Sequence, residues 1–262
     1  MRRLSTVLAA LAVVVTACAA ENPVYTLFPD DLTFLLTFDD GTAQPEVGAV
    51  AAPAKPPKTP SYETVEDGVF GRALSAGRLE FARDMDGKSL LDLSASGTVV
   101  CWIRYMNPVP KGQNPGMTFF QVSLDKTPTR SFGRIIMMKQ QSISWMNAFY
   151  EYVTDKRRSV AANTNCSYAN WKPGVWKMCV MTWTQDKIGF SQDGAPIYEQ
   201  AYAEKFGTAW RFVLSGPEIR EKGRGYQLDE LAILGRKLSN EEIRRLYDES
   251  CRRVQKNANT EG

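Results

Sequence analysis

Histidine is absent from all 262 residues. That excludes hydrolase triads in which an imidazole is the base, and every zinc site built on histidine. Chemistry based on carboxylates, lysine or tyrosine is left. A dominant charge of one sign is also missing: 32 Lys and Arg stand against 29 Asp and Glu. Without a basic excess there is no electrostatic case for nucleic-acid binding. Internal repeats are lacking. Between Tyr62 and Ile233 there is almost no helical period, so a helical body is excluded.

The one long apolar run opens the chain. A basic "MRR" leads into "LSTVLAALAVVV", too short to span a bilayer comfortably, and then into "VTAC". Small residues ending in Cys after such a run resemble a bacterial lipobox. Residues 1–17 are then a signal peptide, and Cys18 is the lipidated first residue of the mature chain. Ordinary cleavage just before Glu21 is the alternative. Loss of Arg2 and Arg3 takes the formal charge from +3 to +1, 30 basic against 29 acidic. Residues 18–31 read as a tether, and the expected location is the cell envelope, lipid-anchored or secreted, in a bacterial outer membrane or periplasm. Membrane contact is then expected only through the anchor. Four cysteines remain in the body, Cys101, Cys166, Cys179 and Cys251. An oxidising compartment permits disulfides, and four thiols allow three full connectivities among which spacing does not choose.

What the rest of the chain holds is strands. "LTFLLTFDDG" is an apolar run from Leu32 to Phe38 closed by turn residues. "AAPAKPPKTP" (51–60) cannot join a sheet interior and reads as a surface loop. "GTVVCWIRYM", "GMTFFQVSL", "FGRIIMMK", "SISWMNAFYEYV", "VWKMCVMTWT" and "WRFVLSG" follow, separated by turn signals such as "DG", "NPG" and "KPG". Many short strands at close spacing predict an all-β antiparallel two-sheet sandwich. Trp102, Trp176 and Trp183 are expected in its core. Only "LSNEEIRRLYDESCRRV" has a helical period, with Leu238, Ile243, Leu246, Tyr247 and Cys251 on one face. Ser239 is its expected N-cap, Glu242 completes a capping box, and Arg252 and Arg253 suit the negative end of the dipole. The folded body is expected over 32–255, with a frayed tail over 256–262.

The order of these segments carries a resemblance. "FLLTFDDG", "GVFGRALSAGRLEF", "GTVVCWIRY", "GVWKMCVMTWTQDKIGFSQDGAPI" and "LDELAILGRKLSNEEIRRLY" resemble, in sequence, the strands and closing helix of laminin-G-like, concanavalin A-like jelly rolls. The likeness covers about residues 32–250. It implies that the last strand, Leu228–Leu234, pairs beside the first. Pentraxins, a branch of that superfamily, carry half-cystines in strands similar to "GTVVCWIRY" and "WKMCVMTW". The resemblance therefore implies a Cys101–Cys179 disulfide. Cys166, in an expected polar loop, and Cys251, on the helix, are a possible second pair. The family also implies one structural Ca2+, held by Asp39 and Asp40 of "FDDG" with Asp229 of the last strand. Hydrogen bonding of Asp229 to a loop is the alternative. In the loop similar to the pentraxin calcium loop, "PEIREKGRGY", only Glu218 matches an acidic position, so that ligand pocket is not expected.

Glycanases on the same jelly roll need two carboxylates about 5–5.5 Å apart, which alternate residues of one strand supply. No such signature stands here. Asp84 and Asp86 precede Gly87 in a turn pattern, and alternation sends the neighbours Asp229 and Glu230 to opposite faces. Aromatic rings are the other resource. Trp145 and Phe149 share one face of their strand, Tyr150 and Tyr152 the other, with Tyr168 and Trp171 nearby in "NCSYANW". Rings offer an apolar face and a polar edge to sugars or peptides. Trp145, Tyr150, Tyr152, Tyr168 and Trp171 are therefore the candidate ligand residues. The expected function is a non-catalytic envelope domain that binds a glycan or a surface protein. A carboxylate-only glycan hydrolase or lyase, and a structural envelope protein without a small ligand, are the alternatives.

Overall fold

The computed structural model describes residues 22–48, 62–81, 91, 93, 95–106, 117–124, 132–139, 145–153, 158–167, 174–201, 209–215 and 226–260. Helix α1 (Pro23–Leu27) precedes strands β1 (Leu32–Leu36), β2 (Tyr62–Val65), β3 (Ala73–Phe81), β4 (Gly97–Tyr105) and β5 (Met117–Leu124). Then come β6 (Phe132–Lys139), β7 (Trp145–Val153), β8 (Arg158–Ser167), β9 (Trp176–Trp183), β10 (Lys187–Gln192) and β11 (Tyr198–Ala201). Strands β12 (Ala209–Ser215) and β13 (Tyr226–Leu234) lead to the long helix α2 (Asn240–Thr260). The described strand pairs are all antiparallel.

The hydrogen-bonded path runs β11-β10-β9-β4-β13-β3-β12-β5-β6-β7-β8, with β1 on β13 and β2 on β3. It becomes two layers because β3 belongs to both. Leu74 of β3 pairs with Leu228, whereas Arg78 to Phe81 pair with Ser215 to Phe212. Gly77, at φ 109°, sits where the strand changes sheets. A side chain would strain that backbone, and glycine permits it. The far end of the path folds back, so that β7 packs on β10, and β8 on β10 and β11.

Alternation then builds two cores. In β4, Val99, Cys101 and Ile103 face the space between the sheets, and Val100 and Trp102 face outward. In β9, Cys179, Met181 and Trp183 face in, and Met178 and Val180 face out. Both helices cover that outer face. Val24 and Phe28 from the α1 segment, Leu238 just before α2, and Ile243 and Leu246 from α2 complete the outer core. Every residue of β13 is buried, because one side meets the inner core and the other the helix layer. Trp102 stacks on Tyr247 with ring centroids 6.2 Å apart.

The first and last strands meet as the family likeness implies: Leu32 pairs with Leu234, and Leu36 with Leu231. The predicted helix start holds as well. Ser239 N–H donates to Glu242 (2.8 Å), and Glu242 N–H donates back to the Ser239 hydroxyl (3.2 Å). Arg236 also binds the Glu242 carboxylate, and chiefly for that reason its pKa is lowered to about 2. Four boundaries differ from expectation. β1 ends at Leu36, because Phe38 turns to φ 65°. Residues 22–28 are not a loose tether: Asn22, Val24 and Phe28 are buried against the sheet. The helix runs on to Thr260. Arg252 and Arg253 pair with Glu249 one turn back and do not cap the helix end.

Leu246 is fully buried between α2 and the sheet. Leu246→Ala is expected to cost about 2–5 kcal/mol and Ser239→Ala about 1 kcal/mol in denaturant unfolding, with m unchanged.

Candidate functional site

The opening question for a site is what Asp229 and Glu230 do. The β13–β4 ladder shifts between Asp229 and Ala232, and Glu230 sits at φ 55°. This is a β-bulge. Leu228 before it and Leu231 after it both face the inner core. Asp229 and Glu230 therefore both project to the helix side, and the alternation that would separate them fails here. Asp229 Oδ2 accepts the N–H of Val69 at 2.7 Å, and its Oδ1 accepts the N–H of Glu230 at 2.9 Å. The N–H of Phe70 is a third donor. Glu230 Oε2 accepts from the Asn22 side chain, whose own oxygen caps α1 through Val24 N–H at 2.8 Å.

The loop that approaches Asp229 is "DGVFGR" (67–72). It can approach only because of its glycines. A Cβ on Gly68 would lie 2.6 Å from Asp229 Oδ2, and one on Gly71 2.1 Å from Asp39 Oδ1. Asp39 Oδ1 accepts the N–H of Arg72 at 3.0 Å. The loop's other end is held by Arg104, a buried guanidinium. Its Nη2 donates to the carbonyl and carboxylate of Asp67 (2.6 and 2.8 Å), its Nε to Gln227 (2.8 Å), and it lies 4.6 Å over the ring of Trp176. Trp176 is thus half-buried under an arginine, not a core residue as expected.

These contacts test the expected calcium shell. Both Asp229 oxygens are taken by backbone N–H groups. One oxygen of Asp39 is taken likewise, and Asp40 is exposed and turned onto Thr42 at 2.8 Å. Among the described residues no three such side chains converge as ligands. The set Asp39, Asp40 and Asp229 does not fit a metal; it fits hydrogen bonding to loops.

The cluster is still electrostatically strained. Asp229 is 0% exposed and Glu230 2%. Glu230 is raised well above its usual value by burial first, then by the charges of Asp229, Asp39 and Glu46. Burial also raises Asp229, against which its three N–H donors act. Those donors favour ionised Asp229, so a shared proton belongs on Glu230. Oε1 of Glu230 and Oε2 of Glu46 are buried without hydrogen-bond partners. No substrate can reach the pair, which lies beneath the 67–72 loop and α1. Glu230 shares a side with Asp229, against the expected alternation, because nothing in "LDELAIL" marks a bulge; Asn22 and Glu46 carry no local signal of their role.

Cys101 and Cys179 stand directly opposite in the β4–β9 ladder. Both are buried thiols, and burial pushes Cys101 up to about 12. Cys166 lies in β8 opposite Met146, not in a loop. Helix α2 starts where Asn240 accepts the Ile197 N–H, by β11, and reaches α1, where Arg253 donates to Thr26. Cys251 is at the α1 end of the outer layer, whereas β8 lies in the other sheet, against β10 and β11. A Cα separation of under about 7 Å is then out of reach, so the second bridge does not fit.

Trp145, Tyr150 and Tyr152 all lie in β7. Backbone register pairs Tyr150 with Ile135 and Ala162, Tyr152 with Gly133 and Ser159, and Trp145 with Ser167. Cys18, Tyr168 and Trp171 lie outside the described residues, and no described helix is long and apolar enough to cross a membrane.

No family model and no curated protein sequence matches the chain. Solved structures match its fold. One is the binding domain of Paraclostridial Mosquitocidal Protein 1, at TM-score 0.57 and 11% identity, over 83% of this chain and 52% of that one. The receptor binding domain of botulinum neurotoxin mosaic serotype C/D matches at TM-score 0.57 and 11% identity, over 84% and 51%. Domain 4 of AbnA, a GH43 extracellular arabinanase from Geobacillus stearothermophilus solved with arabinotriose, matches at TM-score 0.54 and 13% identity, over 83% and 98%. The chain thus spans about half of the toxin binding domains and nearly all of the arabinanase domain. The shared fold is an antiparallel β-sandwich found in binding domains.

Because Glu230 is raised in the fold, its contribution to stability is greatest below about pH 4.5 and is lost as pH rises through the folded value. Glu230→Gln is expected to be more stable than the parent by about 1–3 kcal/mol at pH 8, with the difference shrinking towards pH 4.5. Urea unfolding across that range checks it.

Proposed function

We propose that this chain is a non-catalytic binding domain of the bacterial cell envelope, held by a lipid on Cys18, that engages a glycan on the outer face of the sheet containing β5 to β8. The observation that carries this reading is the placement of the two described helices. Both cover the sheet of β4, β9 and β13, and no described helix covers the outer side of the sheet of β5 to β8, whose strand β7 contains Trp145 and Phe149. Ring faces on an open sheet suit stacking against pyranose or furanose C–H surfaces. The fold likeness to a domain solved with arabinotriose supports a glycan, and the likeness to toxin receptor binding domains supports recognition of a cell surface. A surface protein is the second reading, favoured by the same open sheet. Against an enzyme stands the burial of Asp229 and Glu230, the adjacent carboxylates that the bulge turns to one side.

A glycan array probed with the soluble domain tests the ligand class. Trp145→Ala is expected to weaken the glycan selected by at least about tenfold with little change in melting temperature. Silence across the array together with a recovered protein partner would replace the glycan by that protein.

The Cys101–Cys179 disulfide belongs to the same proposal, since an exported domain matures under oxidising conditions. Antiparallel neighbours have Cα atoms about 4.5–5.5 Å apart, within the range a disulfide spans. Peptide mapping without reductant is expected to return the peptides of Cys101 and Cys179 joined; alkylation of both in protein unfolded without reductant would remove the bridge.

A further inference from the structure

We propose that the layer formed by α1 and α2 is the face this domain turns to a lipid bilayer, with the β5–β8 sheet held on the far side. The inference rests on the lipidation of Cys18 in the functional reading above, and deepens it.

The first described residue is the reason. Asn22 is fixed in the helix layer. Its side chain bonds Glu230 on the outward side of β13, it caps α1, and it is 3% exposed. Four chain links separate it from Cys18, a reach of at most about 14 Å. From the helix layer to the outer face of the other sheet is about 20 Å, one helix-to-sheet spacing and one sheet-to-sheet spacing of about 10 Å each. A lipid on Cys18 cannot reach that outer face. It can reach α1 and the part of α2 that touches it, where Arg253 donates to Thr26.

The surface there is polar. Arg252 is exposed, and Arg244 and Arg245 lie about two turns earlier on the same helix, along a groove of about 650 Å³ that Glu241 and Asp248 also line. Acidic neighbours leave little net charge: Asp248 pairs with Arg244, and Glu249 with Arg252. Electrostatics alone would not hold this face to a membrane, so contact depends on the short anchor.

The test uses the full chain, purified from membranes with its acyl group and reconstituted in vesicles of phosphatidylcholine and phosphatidylglycerol. Mass spectrometry of the mature N-terminus comes first, and an unmodified residue there overturns both the anchor and this orientation. With the acyl group present, amide exchange is compared with that of Cys18→Ala mixed with the same vesicles. Exchange about fivefold slower over residues 22–28 and 244–254, and unchanged over 132–167, is the expected result. Slowing over 132–167, or over no segment, overturns the orientation while leaving the lipoprotein reading intact. A flexible Gly-Ser insert of about twenty residues between Ala20 and Glu21 is expected to keep the chain on the vesicles and abolish the slowing. Persistence of the footprint with the insert would overturn the dependence on a short anchor.

Discussion

The hydrogen bond from Val69 N–H to Asp229 is the contact on which the architecture turns. It joins the 67–72 loop, which delivers the chain into β3, to a strand buried on both sides. β3 in turn supplies the corner between the sheets, and β13 carries β1, β4 and the entry to α2. An acid is required because a neutral side chain could not accept three N–H groups at once in a dry site. Glycines are required at 68 and 71 because the carboxylates lie closer than a Cβ allows.

The bulge that lets Asp229 do this has an electrostatic cost. It turns Glu230 into the same buried layer, within range of Asp229, Asp39 and Glu46. No described arginine or lysine neutralises that group: Arg72 reaches outward to Glu66, and Arg104 is committed to Asp67 and Gln227. Among the described residues, Asn22 is the side chain that donates to Glu230. The start of the folded body is thereby tied to a carboxylate that burial and neighbouring charge disfavour in its ionised form, and proton uptake and docking of α1 draw on the same atoms.

Much of this fold was legible because it obeys simple periods. Cys101 and Cys179 fall opposite each other because both strands alternate without interruption. Ile243 and Leu246 sit on one helical face, with Leu238 buried just ahead of the helix, and Ser239 with Glu242 is a local signal that tertiary contacts did not override. Legibility stops where the backbone leaves its period. Asp229 and Glu230 read as opposite faces until a left-handed residue intervenes. Cys166 reads as loop because "RRSVAANTNCSY" is polar, although a strand at a sheet margin tolerates such residues. Trp176 reads as core because aromatic strand residues usually are; the arginine that covers it comes from β4, 72 positions earlier in the chain. The ligand face is the least legible part, since alternation says which rings share a side but not which side is solvated.

The corner at Gly77 has one more implication. Along that margin the two sheets are joined by covalent backbone, so their spacing is fixed there. At the opposite margin, where β8 rests on β10 and β11, they share no strand and are joined by packing and by the connection from β8 to β9. The sandwich is bound like a book with β3 as its spine, and a change in the spacing of its covers meets least covalent resistance at the fore-edge.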